Sequence, residues 1–238
     1  MKKHLPFTKA ELALWGGSAA LVLAAFLLFD RGDGLKLLAS LIGVTSLLFN
    51  AKGNPIGPGL MVIFSALYGI ISWRCAYYGE MATYLGMTAP MSLYALVAWL
   101  KNPYGGQRSQ VKVRRLPQQE ALLLLLLAGA VTAVFYFILK ALHTANLIPS
   151  TVSVTTSFLA VYLTARRSPA FALCYGANDL ILILLWLLAA REDLAYLSVV
   201  VCFGVFFVND TYTYLCWRRM EKDQRAGSPS HAKKRRAG

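Results

Sequence analysis

Eight separate runs of roughly twenty mostly apolar residues constrain this chain more than any other feature. They cover 11–29, 36–51, 56–74, 81–100, 120–142, 150–165, 169–190 and 194–217. Each is close to what a hydrocarbon core of roughly 30 Å requires of a helix. The second and sixth runs are short, which predicts helices that begin earlier or stand nearly upright. With 57% hydrophobic and 15% charged residues in 238, the composition excludes an ordinary soluble globule and predicts an all-α integral membrane protein of eight spans. The first run follows Lys2, Lys3 and Lys9 in the manner of a secretory leader, but its length and the lack of a soluble domain behind it mark it as span 1.

A net charge of +13 suggests nucleic acid only until its distribution is considered. With eight crossings and both termini cytoplasmic, the inner segments hold Lys2, Lys3, Lys9, Lys52, Lys101, Arg108, Lys112, Arg114, Arg115, Arg166, Arg167 and the tail from Arg218 to Arg236. The outer loops hold only Arg31, Lys36, Arg74 and Arg191, the asymmetry of the positive-inside rule. Asp30, Asp33, Glu192 and Asp193 fall in outer loops, with Glu80 as a fifth loop acid. The charge is therefore topological, no nucleic-acid partner is expected, and the "KKRR" tail reads as a solvated end near anionic lipid. Cys75, Cys174, Cys202 and Cys216 lack C-x-x-C spacing, and His4, His143 and His231 are scattered, so neither a metal site nor a cofactor is expected.

The segment "NPYGGQRSQVKVRRLPQQ" (102–119) divides the chain into halves. Residues 35–100 and 152–217 are both 66 long, run from the outer to the inner face, and end with a Tyr five residues before a Trp, in "YALVAW" and "YTYLCW". "TSLL" at 45–48 echoes "TSFL" at 156–159. Two like-oriented trios need an odd number of helices between them, and span 5 supplies it. The expected architecture is a 3+1+3 parallel repeat with span 1 as an extra helix. Its parts are 1–34 (tail and extra helix), 35–101 (first trio), 102–149 (basic loop and linker helix), 150–217 (second trio) and 218–238 (basic tail). Parallel repeats of this kind place substrate sites near the midplane between the repeats.

The costliest residues are Asn178 and Asp179, midway through span 7, since an ionised Asp at a bilayer centre costs about 2.5–3.5 kcal/mol. Span 8 repeats the pair as Asn209 and Asp210, with Asp210, Thr213, Tyr214 and Trp217 on one helical face and Tyr212 on the adjoining side. Tyr214 and Trp217 read as an interfacial aromatic belt. Span 3 offers Ser65, Tyr68 and Ser72, and span 4 offers Thr88, Ser92 and Tyr94, with Gly86 and Pro90 able to open the backbone near the midplane. The hydroxyls of "STVSVTTSF" in span 6 read as helix packing. Together Asn178, Asp179, Asn209, Asp210, Ser65, Tyr68, Thr88, Ser92, Tyr94 and Tyr212 describe a polar, aromatic-edged, ligand-sized hollow. It suits a small solute with hydroxyls and a flat, cationic ring. A carrier is the reading preferred. An intramembrane aspartyl protease using Asp179 and Asp210 is the rival from another class, since "GAND" comes near a G-x-G-D motif but lacks its second Gly.

The stretches "SLIGVTSLLFNAKGN", "IFSALYGIIS", "YGEMATYLGMTAPM", "WLKNPY", "VKVRRL", "TVSVTTSFLAVYLT", "YGANDLILILLW" and "FFVNDTYTYLCW" resemble bacterial PnuC-type nicotinamide riboside transporters, from about residue 36 to 217. The resemblance implies facilitated uptake of nicotinamide riboside for NAD synthesis across the bacterial inner membrane. It implies no ion coupling, no enzymatic activity and a fold similar to the SWEET sugar transporters. It leaves thiamine, riboflavin or a sugar as alternative solutes and a homo-oligomer as an open state. Asn178 falls where the family places a substrate-facing Asn, and Tyr94 with Trp99 falls on its span-4 aromatic pattern. Phe171 and Cys174 stand where many members carry Trp, and Ser65 and Ser92 where some carry Asn.

Overall fold

A computed structural model describes residues 7–75, 77–144 and 146–226, apart from the side chain of Gln107. Lys2, Lys3, His4, His231 and the "KKRR" run lie outside the described residues. Among the described residues eight helices are long and apolar enough to cross a membrane: α1 Lys9–Phe29, α2 Gly34–Ala51, α3 Ile56–Arg74, α4 Tyr78–Leu100, α5 Gln118–Ala141, α6 Leu147–Ala165, α7 Phe171–Ala189 and α8 Leu197–Ala226. The short second and sixth runs do begin earlier than their apolar cores. Thr8 caps α1 in a capping box, its Oγ1 accepting from Glu11 N at 3.2 Å while the Glu11 carboxylate accepts from Thr8 N at 2.6 Å. In α4 the backbone widens into a π-helical turn over Tyr84–Thr88, just before the proline at 90. This is the opening that Gly86 and Pro90 suggested.

The two trios close on each other head to tail, α2 packing on α8 and α6 on α4. Their first turns are the same object twice. "NAKGNP" at 50–55 and "TARRSP" at 164–169 each end a helix through a left-handed residue, Gly53 (φ 64°) and Arg167 (φ 61°). Asn50 O accepts from Gly53 N at 2.9 Å, and Thr164 O from Arg167 N at 2.9 Å. Asn54 N and Ser168 N reach back to Phe49 O and Leu163 O, each at 3.0 Å. The linker straps both turns, Val111 N donating to Gly53 O at 2.9 Å and Arg114 N to Arg167 O at 3.0 Å. The extra helix has a counterpart in the linker helix, because Glu11 of α1 pairs with Lys52 at 2.9 Å and Glu120 of α5 pairs with Arg166. Beside that carboxylate the Arg166 guanidinium is held above its usual pKa, whereas burial and the neighbouring Arg114 and Arg166 lower that of Arg167.

Two expectations, on Glu80 and Trp217, need correction, and two further features were not anticipated. The linker contains a two-residue hairpin, β1 Pro103–Tyr104 and β2 Gln107–Val111, because Gly105 and Gly106 both adopt positive φ. Helix α8 continues past Trp217 to Ala226. There buried Glu221 accepts from Arg115 at 2.6 Å and Arg225 at 2.8 Å, and Gln224 bonds Val111 O and Val113 N. Glu80 is not a loop acid but sits buried in the first turn of α4. Trp217 is not a lipid-facing belt residue. It is fully buried, and its indole Nε1 donates to Asn50 O at 2.7 Å. Its counterpart Trp99, also fully buried, donates to Thr164 O at 2.8 Å. Each trio thus ends in an indole that clasps the last turn of the other trio's first helix.

Candidate functional site

Between the trios α7 and α8 bring the two deep acids together. Asp179 of α7 and Asp210 of α8 line one small cavity. The residues are 3% and 2% exposed, and Asp179 Oδ2 and Asp210 Oδ1 have no hydrogen-bond partner. They face a cavity of about 20 Å³ that Tyr84, Thr88, Ser157, Tyr175 and Asn178 also line, with Phe64 and Phe206 among its apolar walls. That volume is room for one water. The ligand-sized hollow expected from sequence is therefore absent from this conformation, because aromatic rings fill the inter-trio space that hydroxyls alone would have left open.

Aromatic layers close the cavity at both ends. At the basic end Phe171 lies 4.9 Å from Trp217, which lies 5.3 Å from Trp99, centroid to centroid. At the other end Tyr84 meets Tyr68 at 4.4 Å, and Tyr68 Oη accepts from Trp186 Nε1 at 2.7 Å. Tyr77 and Tyr196 extend that layer over Trp186, at 4.9 and 5.3 Å. The arrangement is occluded from both faces. A solute reaches the acids only if one layer parts.

Of the ten residues expected at the site, Asn178, Asp179, Asp210 and Thr88 line the cavity. Asn178 is held by three hydroxyls of α6, its Oδ1 accepting from Ser153 at 3.1 Å, Thr156 at 2.9 Å and Ser157 at 3.1 Å. The "STVSVTTSF" hydroxyls therefore orient this amide as well as pack helices. Tyr68 borders the cavity from the layer above it. Asn209 turns away, its Nδ2 donating to Ser18 Oγ of α1 at 2.9 Å and to Val205 O at 2.8 Å. Tyr212 also turns toward α1, with its hydroxyl 3.5 Å from a Glu11 oxygen. Ser65 and Ser92 are buried outside the cavity lining. Tyr94 is 56% exposed on the flank of α4, because the π turn shifts the register of the helix by one residue before it.

Sequence reasoning passed over Tyr84 and Tyr175. Tyr175 stands four residues before Asp179 and so shares its helical face, a signal that was available. Tyr84 reaches the cavity through the π turn, which helical spacing does not anticipate. An open groove of about 460 Å³ between α1 and α8 carries no ionisable side chain, and its lining of Gly17, Leu21, Gly204 and Val208 suits lipid rather than chemistry. Among the described residues no metal-holding cluster of His, Cys, Asp or Glu occurs.

The family model for the nicotinamide mononucleotide transporter matches residues 33–219. The chain belongs to that transporter family. It is 24% identical over 206 residues to the nicotinamide riboside transporter PnuC of Neisseria mucosa, an overlap of 84% of this chain and 77% of that relative. Its fold matches the crystal structure of the vitamin B3 transporter PnuC with a TM-score of 0.79 at 21% identity, covering 92% of this chain and 94% of the other. Family membership decides between the two uses of a buried carboxyl pair. Adjacent carboxyls would also serve an aspartyl protease, but this family consists of membrane transporters, and the protease alternative falls.

Proposed function

We propose that this chain takes up nicotinamide riboside, or a closely related nucleoside or vitamin precursor, by alternating access around the Asp179–Asp210 cavity. The observation that carries the reading is two buried carboxyl groups, each with an unpartnered oxygen, at a midplane cavity between two pseudo-equivalent trios. Unsatisfied buried acceptors are costly in isolation and are understandable as positions reserved for a solute's ring charge and hydroxyls. Tyr84 and Tyr175 offer ring faces for a flat cation, and Asn178, oriented by α6, offers amide hydrogen bonds. The matched relative from Neisseria mucosa bears the name of a nicotinamide riboside transporter, which favours this solute over thiamine, riboflavin or a sugar.

Access would come from rocking one trio against the other, with the Trp99–Phe171–Trp217 layer parting at the basic end and the Tyr68–Tyr84–Trp186 layer parting at the opposite end. The excess of Lys and Arg on the first of these faces supports a cytoplasmic placement for it and for both termini, in a bacterial inner membrane. The test is a thermal-shift screen of the purified protein against nicotinamide riboside, nicotinamide mononucleotide, thiamine, riboflavin and simple sugars. It is paired with uptake by Asp179→Asn in a transport-deficient cell. Stabilisation by nicotinamide riboside and reduced uptake by a normally inserted variant are expected. Wild-type uptake by Asp179→Asn would remove that carboxyl from the site.

A further inference from the structure

The two matching turns at the basic end differ at one position. Where the first places Gly53 at φ 64°, the second places Arg167 at φ 61°, a left-handed conformation that disfavours side chains other than Gly and Asn. Backbone strain of this kind persists where function makes use of it, and here the strained residue is a cation.

The first turn is balanced in charge, Lys52 pairing with Glu11 at 2.9 Å, whereas the second carries an excess. Its carboxylate, Glu120, accepts from Arg114 Nη2 at 3.0 Å and from the Tyr162 hydroxyl at 3.3 Å, and it pairs with Arg166. Arg167, whose carbonyl accepts from Arg114 N at 3.0 Å, adds a third arginine to the same turn. Among the described residues Arg167 forms no ion pair, and its Nε is buried without a hydrogen-bond partner. Three guanidiniums against one carboxylate leave two positive charges uncompensated. Burial and repulsion from Arg114 and Arg166 are what lower the pKa of Arg167. Arg114 and Arg166 keep 37% and 30% of their side-chain surface exposed, so the cluster is open to a ligand from solvent.

We propose that this turn is a binding site for a phosphate group, held by the guanidiniums of Arg167 and Arg114 and separate from the solute cavity. The planar fork of arginine matches phosphate oxygens in pairs. A phosphate monoester carries about −1.5 to −2 at neutral pH, close to the charge that the turn leaves uncompensated. The turn follows the end of α6 at the basic end of the bundle, where a soluble phosphate and a lipid headgroup both present that chemistry. Arg114 belongs to the linker and Arg167 to the second trio, so a bound phosphate fastens one to the other beside the clasp of Trp99 on Thr164 O.

The test follows the melting temperature of the full chain in a neutral maltoside detergent as inorganic phosphate is titrated at neutral pH, with ionic strength held constant by potassium chloride. The wild-type chain should gain stability in a saturable way. Arg167→Gly, which installs the residue of the first turn and relieves the backbone, should fold at least as well. It should need about ten- to a hundredfold more phosphate for the same gain, the worth of a charge-assisted hydrogen bond. Arg167→Asn, whose side chain also tolerates the left-handed conformation, serves if the Gly variant fails to fold. Lys101→Gln, which removes an exposed charge from the same end of the bundle, should respond as the wild type does. A second arm replaces inorganic phosphate by mixed micelles containing phosphatidylglycerol or phosphatidylcholine. A gain from phosphatidylglycerol alone, lost in the Arg167 variants, assigns the bound group to a lipid headgroup. A gain that the Arg167 variants share in full is the general salting effect of phosphate and would overturn the site. So would loss of the response in Lys101→Gln, or a wild-type chain indifferent to both probes.

Discussion

Replacing Trp217 by Phe separates the basic-end closure from the rest of the fold. The indole Nε1 donates to Asn50 O at 2.7 Å, across the contact between α8 and α2. Because Asn50 O also accepts from Gly53 N at 2.9 Å, the variant leaves no orphaned carbonyl, and only the net worth of one hydrogen bond is lost, about 1 kcal/mol. The benzyl ring keeps most of the packing against Phe171 and Trp99, so the small void left behind adds about 1 kcal/mol at most. A total of about 1–2 kcal/mol corresponds to roughly a 5- to 30-fold shift in the ratio of open to closed forms. Cys174 packs against this cluster and is partly buried, so it reports the opening. In a variant that retains Cys174 as its sole cysteine, maleimide labelling of the detergent-purified protein should accelerate by that factor. Trp99→Phe, which loses the matching 2.8 Å bond to Thr164 O, should behave alike. Unchanged labelling in both would refute the assignment of these indoles as clasps. Acceleration in only one would refute their equivalence.

Three other outcomes follow from the geometry. Gly57→Ala places a methyl 2.2 Å from Asn50 Oδ1 and 2.8 Å from its backbone nitrogen, whereas Gly59→Ala meets nothing closer than 3.8 Å. The first should lower the detergent melting temperature by the equivalent of about 1–3 kcal/mol and the second should leave it nearly unchanged. Ser157→Ala should alter solute affinity little, because Ser153 and Thr156 still hold Asn178 Oδ1, and Ser153→Ala with Ser157→Ala should cost more than the sum of the single changes in a binding titration. Glu221→Ala strands Arg115 and loosens the linker strap, so limited proteolysis between 102 and 119 should quicken while the spans stay intact.

The spans were legible because hydrocarbon thickness fixes their length and lipid excludes charge, signals that survive without knowledge of packing. The repeat was legible in its equal lengths and its paired Tyr–Trp ends, but its clearest mark was missed. "NAKGNP" and "TARRSP" share only their Ala and their Pro, and beyond these they share a left-handed residue two before the Pro, which Gly53 and Arg167 satisfy with unlike side chains. Asp179 and Asp210 announced themselves by cost alone. Asn209 has the same sequence signature as Asn178, yet its neighbour is α1 rather than the cavity, and which helix an Asn faces depends on inter-helix contacts that one strand of sequence does not carry. The register of α4 was hidden for a different reason. One π turn brings Tyr84 in and leaves Tyr94 on the flank, and no regular periodicity encodes such an insertion.

The most direct test of the carrier account is an experimental structure of the purified chain with nicotinamide riboside bound. The account predicts solute density between α7 and α8 within hydrogen-bonding range of Asp179 and Asp210, with Phe64 and Phe206 displaced to enlarge the cavity beyond its present 20 Å³. Density confined to the groove between α1 and α8, with the cavity at the two carboxyls no larger than it is here, would contradict it.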